Sequence, residues 1–215
     1  MSETFKTHWV DRYLAPFCED TDMLEKARKY LDPQSAWDAW DNAADMLRFL
    51  QKTGIDLSRI LLCICDMVER VLPIFEREYP TNKHLRNAIE AARDYNSDPT
   101  EANKQMIYNA AKTTAKIAFY VGLKADVTSS AVLNASRAVS TLTFASYDFD
   151  RDNAARTAAK AVAYAVHAAV LAATNATVDA VCIVEHAAEI ERKAQADIVR
   201  KYFPIAPIPE EFVSF

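Results

Sequence analysis

The stretch from Asn153 to Ala173 reads NAARTAAKAVAYAVHAAVLAA, and alanine fills 11 of its 21 positions. The whole chain of 215 residues holds 37 alanines, and 28 of them follow position 100. Alanine is the residue with the highest helix propensity, so this composition strongly favours helices. We therefore predict an all-α fold.

Glycine is nearly missing from the chain, which holds only Gly54 and Gly122. A chain of this length with average usage would hold roughly 15 glycines. The glycine-rich loops that cradle phosphates need two or three glycines within a few residues, and two-residue hairpins favour Asn-Gly or Asp-Gly. The sequence therefore excludes dinucleotide-binding folds, P-loop folds and tight β-hairpins.

Capping residues and prolines divide the chain into about nine helices in one compact domain, residues 1–203. Short connections are typical of antiparallel packing, which leaves either a bundle or a short α-solenoid. Residues 204–215 contain three prolines and are predicted to form an extended tail that packs on the domain or reaches a neighbouring molecule. The main predicted helices are Ser35 to Lys52, Leu57 to Glu78 with a kink at Pro73, Asp98 to Val121, Val127 to Ala145, Asp150 to Thr174, and a last one that ends at Tyr202.

The charge of the chain is −5 and is unevenly distributed. Residues 1–100 hold 13 Lys and Arg against 18 Asp and Glu, whereas residues 101–200 hold 11 against 10. A negative chain is poorly suited to the phosphate backbone of nucleic acids. The start of the sequence lacks the pattern of a signal peptide, and no apolar run reaches the length of a membrane span. We expect a cytoplasmic protein without a disulfide scaffold.

An acidic motif, Asp148-x-Asp150-x-Asp152, begins like a calcium-binding loop. Such a loop needs glycine at position 6 and a bidentate glutamate at position 12, where this chain has Asn153 and Ala159. The motif is better explained as acids that gather near a helix N-terminus, where the dipole favours negative charge. We expect no calcium site.

Cysteines and histidines also lack a catalytic or metal-binding arrangement. Cys182 and His186 share a helix face at i, i+4, but zinc needs three or four ligands. Cys63 and Cys65 point to different sides of a helix and are interpreted as small buried hydrophobic residues. We predict no metal, no cofactor and no catalytic residue. An enzyme is the remaining alternative, and a pocket with His167 or His186 beside a carboxylate would favour it.

Cations and aromatic residues alternate along two predicted helices. On the first, Lys104, Tyr108, Lys112, Lys116 and Tyr120 recur every fourth residue and so share one face. Such a pattern suits an anionic aromatic ligand, because cations hold phosphates and rings stack on bases. The alternative is a solvated face that shields an alanine-rich core. The candidate ligand-binding residues are Lys112, Lys116, Arg137, Arg156, Lys160, Tyr164 and His167.

A second candidate surface is acidic. Asp38, Asp41 and Asp45 follow one another at i, i+3 and i+7, which would place three carboxylates on one face of a single helix. Trp37, Trp40 and Leu47 would lie opposite the acids, and Trp40 and Ala44 would face inward. An acidic face can steer a basic protein partner, although a merely solvated face is the simpler explanation.

Five segments together resemble a known family. They are Ser35–Trp40 (SAWDAW), Asp45–Asp56 (DMLRFLQKTGID), Cys65–Phe75 (CDMVERVLPIF), Leu85–Arg93 (LRNAIEAAR) and Ala196–Pro204 (ADIVRKYFP). Their order resembles the alanine-rich immunity proteins of bacterial toxin loci and phage genomes. A cysteine commonly precedes the last segment in that family, where this chain has Gln195. The resemblance implies a helical binding protein and transfers no catalytic residue.

Two functions follow as hypotheses. In the first, the protein is a non-enzymatic immunity-type inhibitor that occludes a protein partner, a toxin or an immune effector, through Asp38, Asp41 and Asp45. In the second, it is a phage anti-defence protein that sequesters a small anionic nucleotide. Either function is compatible with a homo-oligomer.

Overall fold

We analysed a computed structural model of the chain, which describes residues 8–17, 21–52, 55–123, 127–147, 151–174 and 180–207. These residues form ten α-helices and no strand, which confirms the all-α prediction. A short π-helix (Val10–Leu14) and a 3-10 turn (Ala15–Phe17) precede them. The helices are α1 (Thr21–Ala27), α2 (Pro33–Ala39), α3 (Ala43–Lys52), α4 (Leu57–Glu69), α5 (Leu72–Glu78), α6 (His84–Ser97), α7 (Glu101–Gly122), α8 (Val127–Tyr147), α9 (Arg151–Thr174) and α10 (Ala180–Tyr202).

The helices form a bundle rather than a solenoid. In a solenoid each unit contacts only its neighbours along the chain. Here α4 contacts α8, α9 and α10, and α3 contacts both α9 and α10. Helix α8 lies at the centre and packs against α4, α5, α6, α7 and α9. Several of its small residues, among them Ala135, Ser136 and Ala138, are fully buried, so close helix packing accounts for the alanine-rich composition.

Prolines start helices in this fold rather than bend them. Pro33 occupies the first turn of α2, and Asp32 caps that helix by accepting a hydrogen bond from Ser35 N at 2.8 Å. The predicted kink at Pro73 is a full break, because α4 ends at Glu69 and α5 begins at Leu72. Proline lacks an N–H group, so the first turn is where a helix tolerates it best.

The predicted helix from Ser35 to Lys52 is also interrupted. Trp40 has an extended backbone conformation, and α3 begins afresh at Ala43. Asn42 caps the new helix, because its side-chain oxygen accepts a hydrogen bond from Ala44 N at 3.0 Å. The carbonyl groups of Trp37 and Trp40 both accept hydrogen bonds from Arg200 of α10, so these backbone oxygens at the end of α2 have partners.

The chain beyond α10 packs against α2. The Trp37 indole donates a hydrogen bond to Phe203 O at 2.8 Å. The side chain of Gln34 donates to Pro204 O at 3.2 Å and accepts from Ala206 N at 2.8 Å. Arg59 of α4 donates to Tyr202 O and lies over the Phe203 ring. Residues 203–207 are therefore part of the domain; the rest of the predicted tail lies outside the described residues.

Candidate functional site

Helix α7 lies at one side of the bundle and buries only a narrow stripe of its surface. Thr100 caps its N-terminus by accepting a hydrogen bond from Asn103 N, so the helix begins a few residues after the predicted start at Asp98. The buried stripe consists of Ile107, Ala111, Thr114 and Val121, which face α6 and α8. Most of the remaining surface of α7 faces solvent, including its large side chains.

Apolar side chains concentrate on that outer surface. Eight large hydrophobic residues of the described chain are exposed, and five of them belong to α7 or to its C-cap. Phe119, Tyr120 and Leu123 are 66%, 66% and 67% exposed, and all three lie in or next to the last turn. A concentration of exposed apolar side chains on one element marks an interaction surface more often than scattered single residues do. The five are Met106, Tyr108, Phe119, Tyr120 and Leu123.

A groove of 340 Å³ opens beside this last turn. One wall consists of Ile117, Tyr120 and Val121 of α7, and the other of Phe75 and Tyr79 at the end of α5. The Phe75 and Tyr79 rings contact each other with centroids 5.1 Å apart, so this wall is aromatic. The groove can therefore accept an apolar side chain from another molecule.

Lysines accompany the apolar residues along the same helix. Lys112 and Lys116 are exposed, and neither forms an ion pair within the described part of the chain. The Lys112 ammonium instead lies 5.0 Å from the centre of the Tyr108 ring. Lys104 lies one turn before Tyr108, and its ammonium is 3.7 Å from the Glu101 carboxylate. The outer surface of α7 is therefore both apolar and positively charged. We call Lys112, Lys116, Phe119, Tyr120 and Leu123 the α7 face.

The candidate nucleotide-binding residues are spread over three helices. Lys112 and Lys116 lie on α7, Arg137 on α8, and Lys160, Tyr164 and His167 on α9; the side chain of Arg156 lies outside the described residues. The structure brings Arg137 and Tyr164 together, with the guanidinium 5.8 Å from the ring centre. None of these side chains lines the groove beside the last turn of α7 or a smaller cleft between α1 and α2.

The three candidate aspartates do not share a helix face. Asp38 lies on α2, Asp41 in the break that follows it, and Asp45 on α3. Asp38 and Asp41 are exposed, whereas Asp45 is only 9% exposed and pairs with Arg48 at 3.1 Å. The prediction of one acidic helix face is therefore wrong, because the break at Trp40 changes the direction of the chain.

A network of ion pairs joins α4, α5, α6 and α10, and no pattern in the sequence predicts it. Arg93 bonds Asp66 at 2.9 Å and Glu69 at 2.5 Å, and Arg86 forms two hydrogen bonds with Glu76. Burial opposes the charge of Arg93, but its two carboxylate partners outweigh burial and raise its pKa. These arginines and acids lie too far apart in sequence for periodicity to pair them.

Tyr202 at the end of α10 joins the same network. Its hydroxyl donates a hydrogen bond to Asp66 at 2.9 Å. Burial and the neighbouring carboxylate raise the pKa of Tyr202, so the phenol keeps its proton and acts as a structural donor. The network thus connects the end of the last helix to α4.

The pair of Glu76 and Arg86 makes stability depend on pH. The Arg86 guanidinium hydrogen-bonds the carboxylate and holds the pKa of Glu76 below its ordinary value of 4.5. The ion pair therefore stabilises the fold fully at pH values above the pKa of Glu76 in the unfolded chain. This stabilisation is lost as the pH falls through the lower pKa of Glu76 in the folded protein. We expect Glu76→Gln to cost about 1 kcal/mol of unfolding free energy at neutral pH, and less in acid.

Urea unfolding of the wild type and of Glu76→Gln, at neutral and at acidic pH, measures this loss of unfolding free energy. Glu78→Gln is the matched control, because Glu78 is more exposed and, among the described residues, its ion-pair partner is Arg77 alone, at 3.9 Å. If the loss of unfolding free energy in Glu76→Gln were as large at acidic pH as at neutral pH, the Glu76–Arg86 pair would not be the source of the pH dependence.

The cysteines and histidines give no reactive centre in the described residues. Cys63 and Cys65 are fully buried, as predicted, and burial raises the pKa of Cys65 to about 12. His167 and His186 are exposed. Over the described ranges, no three His, Cys, Asp or Glu side chains are grouped to hold a metal ion. The side chains of Cys182 and of the motif Asp148-x-Asp150-x-Asp152 lie outside what the structure describes.

None of the described helices has both the length and the apolar character needed to cross a membrane. Comparisons with protein-family models, with curated proteins and with solved structures found no match to the chain. The resemblance to alanine-rich immunity proteins therefore stays a prediction, and the functional argument rests on the surfaces described above.

Proposed function

We propose that this protein is a non-enzymatic binding protein that occludes a protein partner, and that it does so through the α7 face. The exposed apolar residues at the end of α7 are the observation that carries this proposal. Occlusion is also the mode of action implied by the resemblance to immunity proteins. The α7 face replaces Asp38, Asp41 and Asp45 as the preferred contact, because Asp45 is buried and paired.

The chemistry of the α7 face favours an acidic amphipathic helix as the partner segment. Lys112 and Lys116 attract carboxylates, and the last turn offers apolar contacts one or two turns further along the same helix. From Lys112 to Leu123 the helix rises about 17 Å, at ~1.5 Å per residue. A partner helix of about three turns would therefore contact the whole face, with an apolar side chain in the groove beside Tyr120.

The test uses two synthetic amphipathic helical peptides with the same apolar face, one with glutamates and one with lysines on its polar face. We expect fluorescence anisotropy to show saturable binding of the glutamate peptide alone. Phe119→Ser/Leu123→Ser should weaken that binding by roughly tenfold or more, since several apolar contacts are lost. Ile190→Ser is the matched control, because Ile190 is 53% exposed but lies on α10.

Charge reversal makes the test specific. In Lys112→Glu/Lys116→Glu we expect the preference to invert, so that the lysine peptide binds better than the glutamate peptide. The proposal fails if neither peptide binds the wild type, if both bind it equally, or if the α7 substitutions change nothing. Asp38→Lys/Asp41→Lys tests the acidic alternative in the same assay, and would support it by abolishing binding of the lysine peptide.

Nucleotide sequestration is a second candidate, favoured by the position of the Arg137 guanidinium over the Tyr164 ring. A thermal-shift panel of cyclic and linear nucleotides tests it. Stabilisation of the wild type that is lost in Arg137→Gln/Lys160→Gln would support sequestration. No shift across the panel would contradict it and would leave the peptide experiment unaffected.

A further inference from the structure

A second cleft, of 180 Å³, lies between the end of α1 and the end of α2. Alanines form much of its lining, because Ala27, Ala36 and Ala39 have side chains too small to fill it. Lys26, Lys29 and Tyr30 line the α1 side, and Trp40 and Asp41 line the α2 side. The cleft is remote from the α7 face in sequence and shares no lining residue with the groove there.

The two lysines of this cleft are not used by the fold. Residues 26–29 carry three cations, of which Arg28 pairs with Asp11 at 2.6 Å. Lys26 and Lys29 are exposed and form no ion pair with any residue that the structure describes. The charge on Lys26 also suits the last turn of α1, but Lys29 lies beyond that helix. Two cations therefore border the cleft with no ion-pair partner among the residues that the structure describes.

The walls of the cleft are held in place by contacts from behind. The Trp40 ring packs edge-on against the Trp37 ring, with centroids 6.2 Å apart. It also contacts the tilted Phe49 ring, with centroids 6.1 Å apart. On the other wall, the backbone oxygen of Tyr30 accepts a hydrogen bond from the Trp9 indole at 2.7 Å. A cleft with fixed walls binds a ligand without first having to order its own residues.

We infer that this cleft binds a small phosphate monoester, a phosphate group carried on a compact apolar or aromatic group. Two ammonium groups match the double charge of such a phosphate. The alanines, Tyr30 and Trp40 offer apolar contact to the group that carries it. The volume is below the ~300 Å³ at which sites for drug-sized ligands begin, so the cleft selects a ligand smaller than a nucleotide.

Asp41 should make anion binding in this cleft depend on a neighbouring negative charge. Its carboxylate lines the same cleft and repels an anion, so its removal should strengthen binding. An accidental patch of positive charge elsewhere on the surface would show no such dependence on Asp41.

The experiment titrates phenyl phosphate into the full chain at low ionic strength, followed by calorimetry and by tryptophan fluorescence. We expect saturable one-to-one binding that Lys26→Gln/Lys29→Gln weakens by about tenfold or more. Asp41→Asn should strengthen it by about threefold, which corresponds to a modest charge interaction near a surface. Lys112→Gln/Lys116→Gln is the matched control and should bind as the wild type does.

A third variant separates the cleft from general electrostatic attraction. Ala39→Leu fills part of the space and leaves every charge in place, so it should weaken phenyl phosphate more than inorganic phosphate. The inference is overturned if phenyl phosphate does not saturate at millimolar concentration, or if the Lys26 and Lys29 variant binds normally. It is equally overturned if inorganic phosphate binds as tightly as phenyl phosphate, since the apolar walls would then contribute nothing.

Discussion

Trp37→Ala should destabilise the protein by about 3–5 kcal/mol, the cost typical of deleting a large buried aromatic side chain. Trp37 is only 1% exposed, and its ring packs against those of Trp40 and Phe49. Its indole N–H is also the buried donor to Phe203 O. The substitution therefore opens a cavity under α2 and removes a hydrogen bond that holds the chain after α10.

The two effects can be measured separately. Guanidinium unfolding gives the total loss of stability, and hydrogen exchange at the Ala206 amide reports whether residues 203–207 still pack on α2. Trp37→Phe should cost less, because it keeps most of the apolar contact and loses only the donor. In that variant we still expect faster exchange at Ala206.

Trp9→Ala is the matched control. Trp9 is also a nearly buried tryptophan, and its indole donates to a backbone oxygen, that of Tyr30. Its loss should lower the stability but leave exchange at Ala206 unchanged. If Trp9→Ala and Trp37→Ala accelerated that exchange equally, the assigned role of Trp37 in holding the end of the chain would be wrong.

The long helices could be predicted from sequence because their signals are local. Alanine-rich segments with clear boundaries gave α8, α9 and the end of α10 to within about two residues. The break after α2 was missed, because the group that stabilises it is distant. Arg200 bonds the Trp37 and Trp40 carbonyls from across 160 or more residues. No periodicity within residues 35–52 contains that information.

The candidate site was predictable in part for a related reason. Helical spacing placed Lys112, Lys116 and Tyr120 on one face, and the structure shows that all three are exposed. Spacing could not tell which side of α7 other helices would cover, because alanine suits both a buried and an exposed position. The groove beside Tyr120 depends on Phe75 and Tyr79, whose position follows from the break between α4 and α5.

Arg70→Met should destabilise the protein by about 3–5 kcal/mol, because it leaves the carboxylate of Glu191 buried without its charged partner. The two side chains form two hydrogen bonds, at 3.1 and 3.0 Å, and the Glu191 side chain is only 8% exposed. The bond to Glu191 raises the pKa of Arg70, although burial opposes this. Within the part of the chain that the structure describes, Glu191 would then keep one hydrogen bond, which Gln195 donates at 3.0 Å.

The double variant Arg70→Met/Glu191→Met should recover much of that loss. A buried ion pair is often replaceable by apolar residues of similar volume, whereas a single buried charge is not. Glu191→Met alone should cost less than Arg70→Met, because the Arg70 side chain is 40% exposed and can reach water. Urea unfolding of the four proteins gives the coupling energy of the pair.

Arg86→Met is the matched control for this cycle. Arg86 also forms two hydrogen bonds with one carboxylate, but its partner Glu76 is 19% exposed and keeps Lys83 at 3.9 Å. We expect its loss to cost about 1 kcal/mol, as is usual for accessible pairs. Equal losses for Arg70→Met and Arg86→Met would mean that the burial of Glu191 does not determine the cost.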